Sequence, residues 1–533
     1  MSLGRAVRNQ KKYKHLNAVI SSTVWSRDAE VKLQKYPENP RVALLPLRSR
    51  WEWNQFVFVK DNICTKEDAP VTCGSALLAE YRSPFKASVI SKLEARKAPI
   101  AGTTNLDEFG MGSDTTHSHY GVTKNSYSDQ LSAGGSSGGS AVVVATNQCR
   151  YALGTDTGGS IRLPAAYNGV VGFKPSYGMA PRKGVVAYAN SLDTVGVLAQ
   201  RTWKALNILA CIRSHDDGDP TNLRASQREG IKLREKLHRA NLENTGIKLR
   251  IGVPKEYNTL ELQPVVRDAW IRTLQLLQYA GQSIHPISLP STRLALSTYY
   301  ILAPAEASSN LARYDGIRYG RKKERSDASS ERLFSQTRGQ GLGEEVKRRI
   351  LLGAYSLSAG AIDNHFIQAQ KARRLVQEEF DRVFAFPNPL RENRDVSDAN
   401  TEEGVDMIIT PTVQSLPPRL EDVRARHPVD SYSADVLTVP ASLAGLPAVS
   451  VPVPVPREYG PVAEGVRSTA VQIIGQFSCD SMVIRTAQLI EALHAITGND
   501  LAKELTPDQI SGVKDVNAFS DTFVARTVND HVH

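Results

Sequence analysis

The chain has 533 residues, 41% of them hydrophobic, a formal net charge of +10 and five cysteines. Such a composition supports a sizeable core in one large domain or several small ones, and it lacks the run of about 18 apolar residues that a membrane helix needs. Cys64, Cys73, Cys149, Cys211 and Cys479 lack metal-ligand spacing, which argues against a zinc module or a disulfide framework and fits a reducing compartment.

The N-terminal segment carries Arg5, Arg8, Lys11, Lys12, Lys14 and Arg27, with no acid before Asp28. A basic, acid-free, hydroxyl-containing start is the pattern of a mitochondrial targeting segment, with a solvated basic arm as the alternative. The basic balance of the whole chain also leaves a nucleic-acid partner open. The aromatic and β-branched run 56–59 predicts a buried strand ending at Lys60-Asp61-Asn62. A helical pattern follows over 87–93, then a short strand and turn over 98–102. In the next segment Asp107 and Glu108 could serve as an acid/base pair, although a structural role is the simpler reading. His117 and His119 have no further ligands near them in sequence, so no metal site is expected.

Two glycine-serine loops come next, Gly134 to Ser140 and Asp156 to Ser160, separated by the small apolar run Ala141-Val142-Val143-Val144-Ala145. That run reads as the start of a buried helix. Glycine at this density lets backbone approach a bound group closely. Spacing alone leaves three readings: a flexible linker, a phosphate-binding loop, or a pair of catalytic loops. The phosphate reading lacks the Lys-Ser or Lys-Thr that closes a nucleotide loop.

The residues GGSSGGS and GTDTGGSIRLPAAYNGVVGFKPSYG together resemble the signature of the amidase signature enzymes. The resemblance implies that Ser160 is the nucleophile, that Ser136 is a bridging serine preceded by a cis peptide, and that Lys60 is the third member. A serine hydroxyl needs a base beside it, and serine–lysine sets are a known variant of the serine–histidine–aspartate arrangement. Burial disfavours the charged amine, so Lys60 could act neutral. It would take a proton from Ser136, and Ser136 would take one from Ser160. The N–H groups of Thr157, Gly158, Gly159 and Ser160 would form the oxyanion hole. The sequence departs from the family in lacking a Gly-Ile-Pro turn before the Lys60 strand, which predicts looser surroundings for that lysine.

Beyond the loops, Arg162 could clamp a carboxylate or join a structural ion pair. Residues 173–175 and 185–188 read as strand and turn, and 214–247 as a polar surface excursion. A strand restarts over 249–254. An amphipathic helix over 265–279 carries Val266, Trp270, Leu274 and Leu277 on one face. The stretches 299–320 and 345–353 resemble, within the amidase signature family, the glutamine-hydrolysing A subunits of tRNA-dependent amidotransferases. That resemblance implies that Tyr299, Arg349 and Asp435 hold free glutamine. The chemistry suits the ligand, since a guanidinium fork matches the α-carboxylate and a carboxylate matches the α-ammonium. Residues 321–344 and 385–405 read as surface, 406–411, 448–452 and 471–475 as buried strands, and 482–495 as a closing helix.

The resemblance covers about residues 50–500. It implies an α/β protein of the amidase-signature fold, a large twisted mixed β-sheet covered by helices on both faces. One amidase domain over 31–515 would lie between a basic segment, 1–30, and a polar tail, 516–533. It implies a glutaminase whose ammonia converts Glu-tRNA(Gln) to Gln-tRNA(Gln), with a partner B subunit using ATP and Mg and a small third subunit left open. No metal or cofactor is implied in this chain itself, and the mitochondrial matrix is the expected compartment. The rivals are a stand-alone amidase acting on another small amide, and a non-catalytic scaffold.

Overall fold

The structure is a computed structural model and describes residues 3–22, 56–66, 69–232, 248–315, 335–390, 404–460 and 462–499. Arg27, the 516–533 tail and much of the charged stretches expected at the surface lie outside these residues.

Eleven strands form one sheet: β1 (Val19–Ser22), β2 (Val57–Lys60), β3 (Ile100–Thr104), β4 (Tyr151–Asp156), β5 (Val171–Lys174), β6 (Thr194–Ala199), β7 (Arg250–Pro254), β8 (Ser283–Ile287), β9 (Met407–Pro411), β10 (Ala448–Pro454) and β11 (Ser468–Gly475). Their order is β1-β3-β2-β4-β6-β5-β10-β11-β9-β7-β8. The sheet is mixed. β2 runs parallel to both β3 and β4, β7 runs parallel to β8 and β9, and the β4–β6 and β10–β11 pairs are antiparallel. Central strands such as β2, β4 and β6 are buried along their whole length, as a sheet covered by helices on both faces requires.

The amphipathic 265–279 pattern becomes the helix Pro264–Tyr279, with Val266, Trp270, Leu274 and Leu277 all buried. Trp270 donates its indole N–H to the Ile409 carbonyl at 3.2 Å, fixing the helix on β9. The apolar run between the glycine loops does not start the buried helix expected of it; it instead ends the helix Gly138–Ala145, which begins within the first glycine loop. The closing helix runs over Asp480–Asn499. Residues 185–188 differ from expectation. They form no strand; Val185 makes an isolated bridge to Ile63, and Val186 N–H goes to the Asn62 carbonyl at 2.9 Å. That contact ties the segment to the turn after Lys60. Within the 214–232 stretch, Leu223 and Ile231 are buried.

The described part of the basic N-terminal segment, residues 3–22, packs against the sheet. The helix Leu3–Lys12 is anchored by Asn9, whose amide donates to the carbonyls of Thr146 and Asn147 at 3.1 and 2.9 Å. β1 then pairs antiparallel with β3 at the sheet edge, and Asn105 N–H reaches the Ala18 carbonyl at 3.0 Å. Ala6, Leu16 and Ala18 are buried in the process. No helix among the described residues is long and apolar enough to cross a membrane.

Candidate active site

β2 and β4 are adjacent and parallel, so the ends of both strands open on the same edge. β2 ends in Lys60, and the Thr157–Ser160 loop leaves the end of β4. Lys60 is fully buried. Its Nζ donates to Ser136 Oγ at 2.7 Å and to the Thr155 carbonyl at 3.3 Å. The segment that leads into this strand, before Phe56, lies outside the described residues. Burial lowers the amine to about 7, against the pull of the Asp107, Asp156 and Asp193 carboxylates, so the neutral form is available near neutral pH.

The Gly135–Ser136 peptide is cis. Ser137 N–H donates to the Ser160 carbonyl at 3.1 Å, which sets the two serine segments side by side. Ser136 is 1% and Ser160 8% exposed, making Ser160 the more open of the two hydroxyls. No hydrogen bond joins Ser136 Oγ to Ser160 Oγ here, so of the two contacts expected among these three side chains only the one between Lys60 and Ser136 is made. Among the described residues, no acceptor takes the N–H of Thr157, Gly158, Gly159 or Ser160. Four consecutive free donors in a glycine loop are what an oxyanion would occupy.

Two glycines of this loop face the residues predicted to hold substrate. A Cβ on Gly158 would lie 2.8 Å from Tyr299 Cζ and 3.0 Å from its hydroxyl; one on Gly159 would lie 2.9 Å from Asp435 Oδ1 and 2.2 Å from Thr438 Oγ1. Side chains at either position would fill the space where backbone and recognition groups meet. Tyr299 and Tyr300 come from the helix Ala295–Asn310, whose Pro304 lacks the N–H that would satisfy the Tyr300 carbonyl. Asp435 accepts from Ser113 Oγ at 2.9 Å and from Tyr300 at 3.5 Å. Burial pushes its carboxyl up to about 6, against the Ser113 hydrogen bond and the charge of Arg349.

Arg349 is 2% exposed, so it is not the solvated basic residue that its place beside Arg348 would suggest. It lies on the helix Glu344–Ser356 and donates Nε to Glu345 Oε1 at 2.7 Å and Nη1 to the Tyr188 hydroxyl at 2.9 Å. Its guanidinium carbon lies 5.3 Å from the ring centres of both Tyr300 and Tyr432. Those two rings stack 3.9 Å apart. Nη2 donates to no described group and remains available. Tyr188, Tyr300, Tyr432, Glu345 and Ser113 were not picked out from the sequence. The Tyr299-Tyr300 doublet and Tyr432, three residues before Asp435, were the only local signals.

The remaining candidates are structural. Arg162 makes a two-pronged pair with Asp156, Nε to Oδ2 at 3.0 Å and Nη2 to Oδ1 at 2.9 Å. It also donates to the Thr438 carbonyl, Gln472 and Ser442 at 2.7–2.8 Å, leaving nothing for a ligand. Burial raises the Asp156 carboxyl, and the charge and hydrogen bonds of Arg162 outweigh it, holding Asp156 below the ordinary carboxylate value. Asp107 accepts the backbone N–H groups of Thr115 and His117 at 2.9 and 3.0 Å. Glu108 accepts from Ser75 Oγ at 2.5 Å and from Gly343 N–H at 2.7 Å. His117 and His119 are exposed, and no group of three or more metal-binding side chains occurs among the described residues.

This fold and this serine–lysine site define an amidase. The Amidase family profile matches residues 56–484, and the chain belongs to that family. It is 49% identical over 511 residues to the A subunit of the mitochondrial glutamyl-tRNA(Gln) amidotransferase of Emericella nidulans, covering 91% of this chain and 98% of that one. It is 48% identical over 526 residues to the corresponding protein of Ajellomyces capsulatus, covering 92% and 98%. Among solved structures, the A subunit of the glutamyl-tRNA(Gln) amidotransferase of Thermotoga maritima matches with a TM-score of 0.66 and 31% identity over 92% of this chain and 90% of that one. A 6-aminohexanoate cyclic dimer hydrolase, 19% identical with a TM-score of 0.71 over 92% and 93% of the two chains, shares the fold.

Proposed function

We propose that this chain is the glutamine-hydrolysing A subunit of a mitochondrial glutamyl-tRNA(Gln) amidotransferase. The observation that carries the reading is the buried 2.7 Å contact of Lys60 Nζ with Ser136 Oγ, set beside a loop of free N–H donors that faces Tyr299 and Asp435. Neutral Lys60 accepts the Ser136 proton as Ser136 accepts that of Ser160, a step that needs the two serine hydroxyls to come into hydrogen-bond contact. Ser160 Oγ attacks the side-chain amide carbon of glutamine. The N–H groups of Thr157, Gly158, Gly159 and Ser160 hold the oxygen that becomes negative. The proton returns through Ser136 to the departing nitrogen, ammonia leaves, and water releases glutamate from Ser160.

In this reading Arg349 takes the α-carboxylate through its free Nη2. Asp435 takes the α-ammonium, and Tyr299 closes the pocket over Gly158. The ammonia passes to a B subunit that uses ATP and Mg to activate Glu-tRNA(Gln), and a small third subunit is left open; this chain supplies no cofactor. The relatives at 49% and 48% identity over nearly their whole length carry the mitochondrial amidotransferase name, which favours this reading over a stand-alone amidase. The same names carry the word mitochondrial, which supports that organelle, with the matrix as the compartment of this proposal.

The test is glutamine hydrolysis by the purified chain, alone and co-expressed with a B subunit. Activity that rises strongly with the partner, and that Ser160→Ala removes from a folded protein, supports the proposal. Full activity without a partner returns the chain to the stand-alone amidases, and near-normal turnover by Ser160→Ala rules out the nucleophile.

A further inference from the structure

Asp193 lies just before β6, next to the point where β4 gives way to the Thr157–Ser160 loop, because Asp156 pairs with Thr194. It is 4% exposed, and so far it has entered only as one of the charges acting on Lys60. Its two oxygens serve different masters. Oδ1 accepts the Thr157 hydroxyl at 2.8 Å. Oδ2 accepts the backbone N–H groups of Tyr188 and Ala189 at 2.9 and 3.1 Å. Tyr188 in turn accepts Arg349 Nη1 at 2.9 Å. The 188–193 turn is held from outside as well. Glu306 accepts Ser191 N–H at 2.9 Å, and Arg373 donates to the Ser191 hydroxyl and carbonyl at 2.8 and 2.9 Å. One buried carboxylate therefore joins the loop of free N–H donors to the tyrosine that braces the guanidinium.

We propose that Asp193 is a positioning residue that couples the Arg349 clamp to the oxyanion loop, so that engagement of a substrate carboxylate sets the donors for attack. This deepens the glutaminase reading and rests on it. A guanidinium drawn toward a carboxylate pulls on the Tyr188 hydroxyl, and the turn that carries Tyr188 is fastened through Asp193 to Thr157. Energetic coupling of this kind needs a contiguous set of contacts, which is present. An ordinary buried aspartate would support the fold equally for every substrate. A coupling aspartate matters more for a substrate that carries the α-carboxylate.

The test uses Thr157→Val in the co-expressed complex, since the near-isosteric change removes only the hydroxyl arm and keeps the backbone N–H. Thr157→Ser restores that arm. Both are assayed with glutamine and with butyramide, which lacks the α-carboxylate and the α-ammonium. A hydrogen bond to a charged group leads us to expect a roughly tenfold to hundredfold loss of kcat/KM for glutamine, carried mainly by kcat. The loss should be at least several-fold smaller for butyramide than for glutamine, and Thr157→Ser should recover most of it. In an Arg349→Ala background, Thr157→Val should cost glutamine no more than it costs butyramide. Equal losses with the two substrates, in an active wild type, overturn the coupling and leave the glutaminase reading intact. A wild-type complex that hydrolyses no glutamine overturns both.

Discussion

Replacing Lys60 with methionine keeps much of the side-chain volume and removes the amine, so it tests whether that amine is held neutral. Burial takes Lys60 from 10.5 to about 7, a preference for the neutral form of roughly 5 kcal/mol at about 1.4 kcal/mol per tenfold. The sign follows from proton counts. The unfolded chain keeps this proton up to about 10.5 and the folded chain gives it up above about 7, so between those values the unfolded state binds more protons and stability rises with pH. Between pH 6 and pH 9 the window that applies is about 7 to 9, which is worth roughly 3 kcal/mol. Lys60→Met lacks this contribution. Measured by urea unfolding, the stability of the variant relative to wild type should therefore be about 3 kcal/mol more favourable at pH 6 than at pH 9. In the same preparations glutamine hydrolysis by wild type should climb as pH rises through about 7, and the variant should be inactive throughout. A stability difference that does not change with pH, together with a wild-type rate that is flat from pH 6 to 8, would refute the neutral-lysine argument.

Arg349→Ala should raise the KM for glutamine roughly thirtyfold to several thousandfold, since removing one partner from a buried charged contact costs about 2–5 kcal/mol. Arg349→Lys should rescue little of it, because a lysine cannot reproduce the fork; an unchanged KM moves the carboxylate clamp elsewhere. Asp435, with its carboxyl near 6, should attract the glutamine ammonium only when ionised. The KM should climb as pH falls below about 6 in wild type and be high and flat from pH 5 to 7 in Asp435→Asn, as read from initial rates. Gly353→Ala tests the frame that carries Arg349: a Cβ there would lie 1.9 Å from the Pro304 carbonyl oxygen. Forcing the two helices apart should cost at least about 1–3 kcal/mol, seen as a lowered melting temperature, and an unchanged one would contradict the close crossing.

The sequence carried the strands and loops whose signal is local. The aromatic and β-branched run before Lys60, the second glycine loop and the 265–279 stripe each fall where expected, because alternation, glycine density and helical period are properties of consecutive residues; the first glycine loop is shorter than expected, since its last three residues, Gly138 to Ser140, are already helical. Strands at the sheet edges escaped. β1 is four partly buried residues, and β8 contains a proline and is exposed in its middle, so neither shows the buried pattern. β4 went unread because it lies between the helix and the second glycine loop. The aromatic box around Arg349 escaped for a different reason: its tyrosines at 188, 300 and 432 come from distant parts of the chain, and no local period links them. The same limit applied to Arg162, whose choice between substrate clamp and ion pair depended on Asp156, Thr438, Ser442 and Gln472 arriving from three other segments.

The segment 104–113 offered an acid/base pair or a structural role, and it reaches Ser136, Asp435 and the helix that carries Arg349. Asp107 N–H donates to the Ser136 carbonyl at 3.3 Å, and the Asp107 charge is the largest influence opposing the burial-driven fall of Lys60. Gly110 takes a positive φ of 79°, and a Cβ on it would come within 3.7 Å of Ser136 Oγ. Glu108 accepts the N–H at the start of the helix that carries Arg349, where a carboxylate also suits the helix dipole. Ser113 holds the carboxylate of Asp435. None of these groups needs to exchange a proton with substrate. Each instead fixes where a reacting or recognising group stands, and a serine relay with one contact at 2.7 Å and another still to close depends on such placement. Acidic residues beside a catalytic serine loop are therefore better read first by the backbone N–H groups they occupy, and as acid/base candidates only when those partners run out.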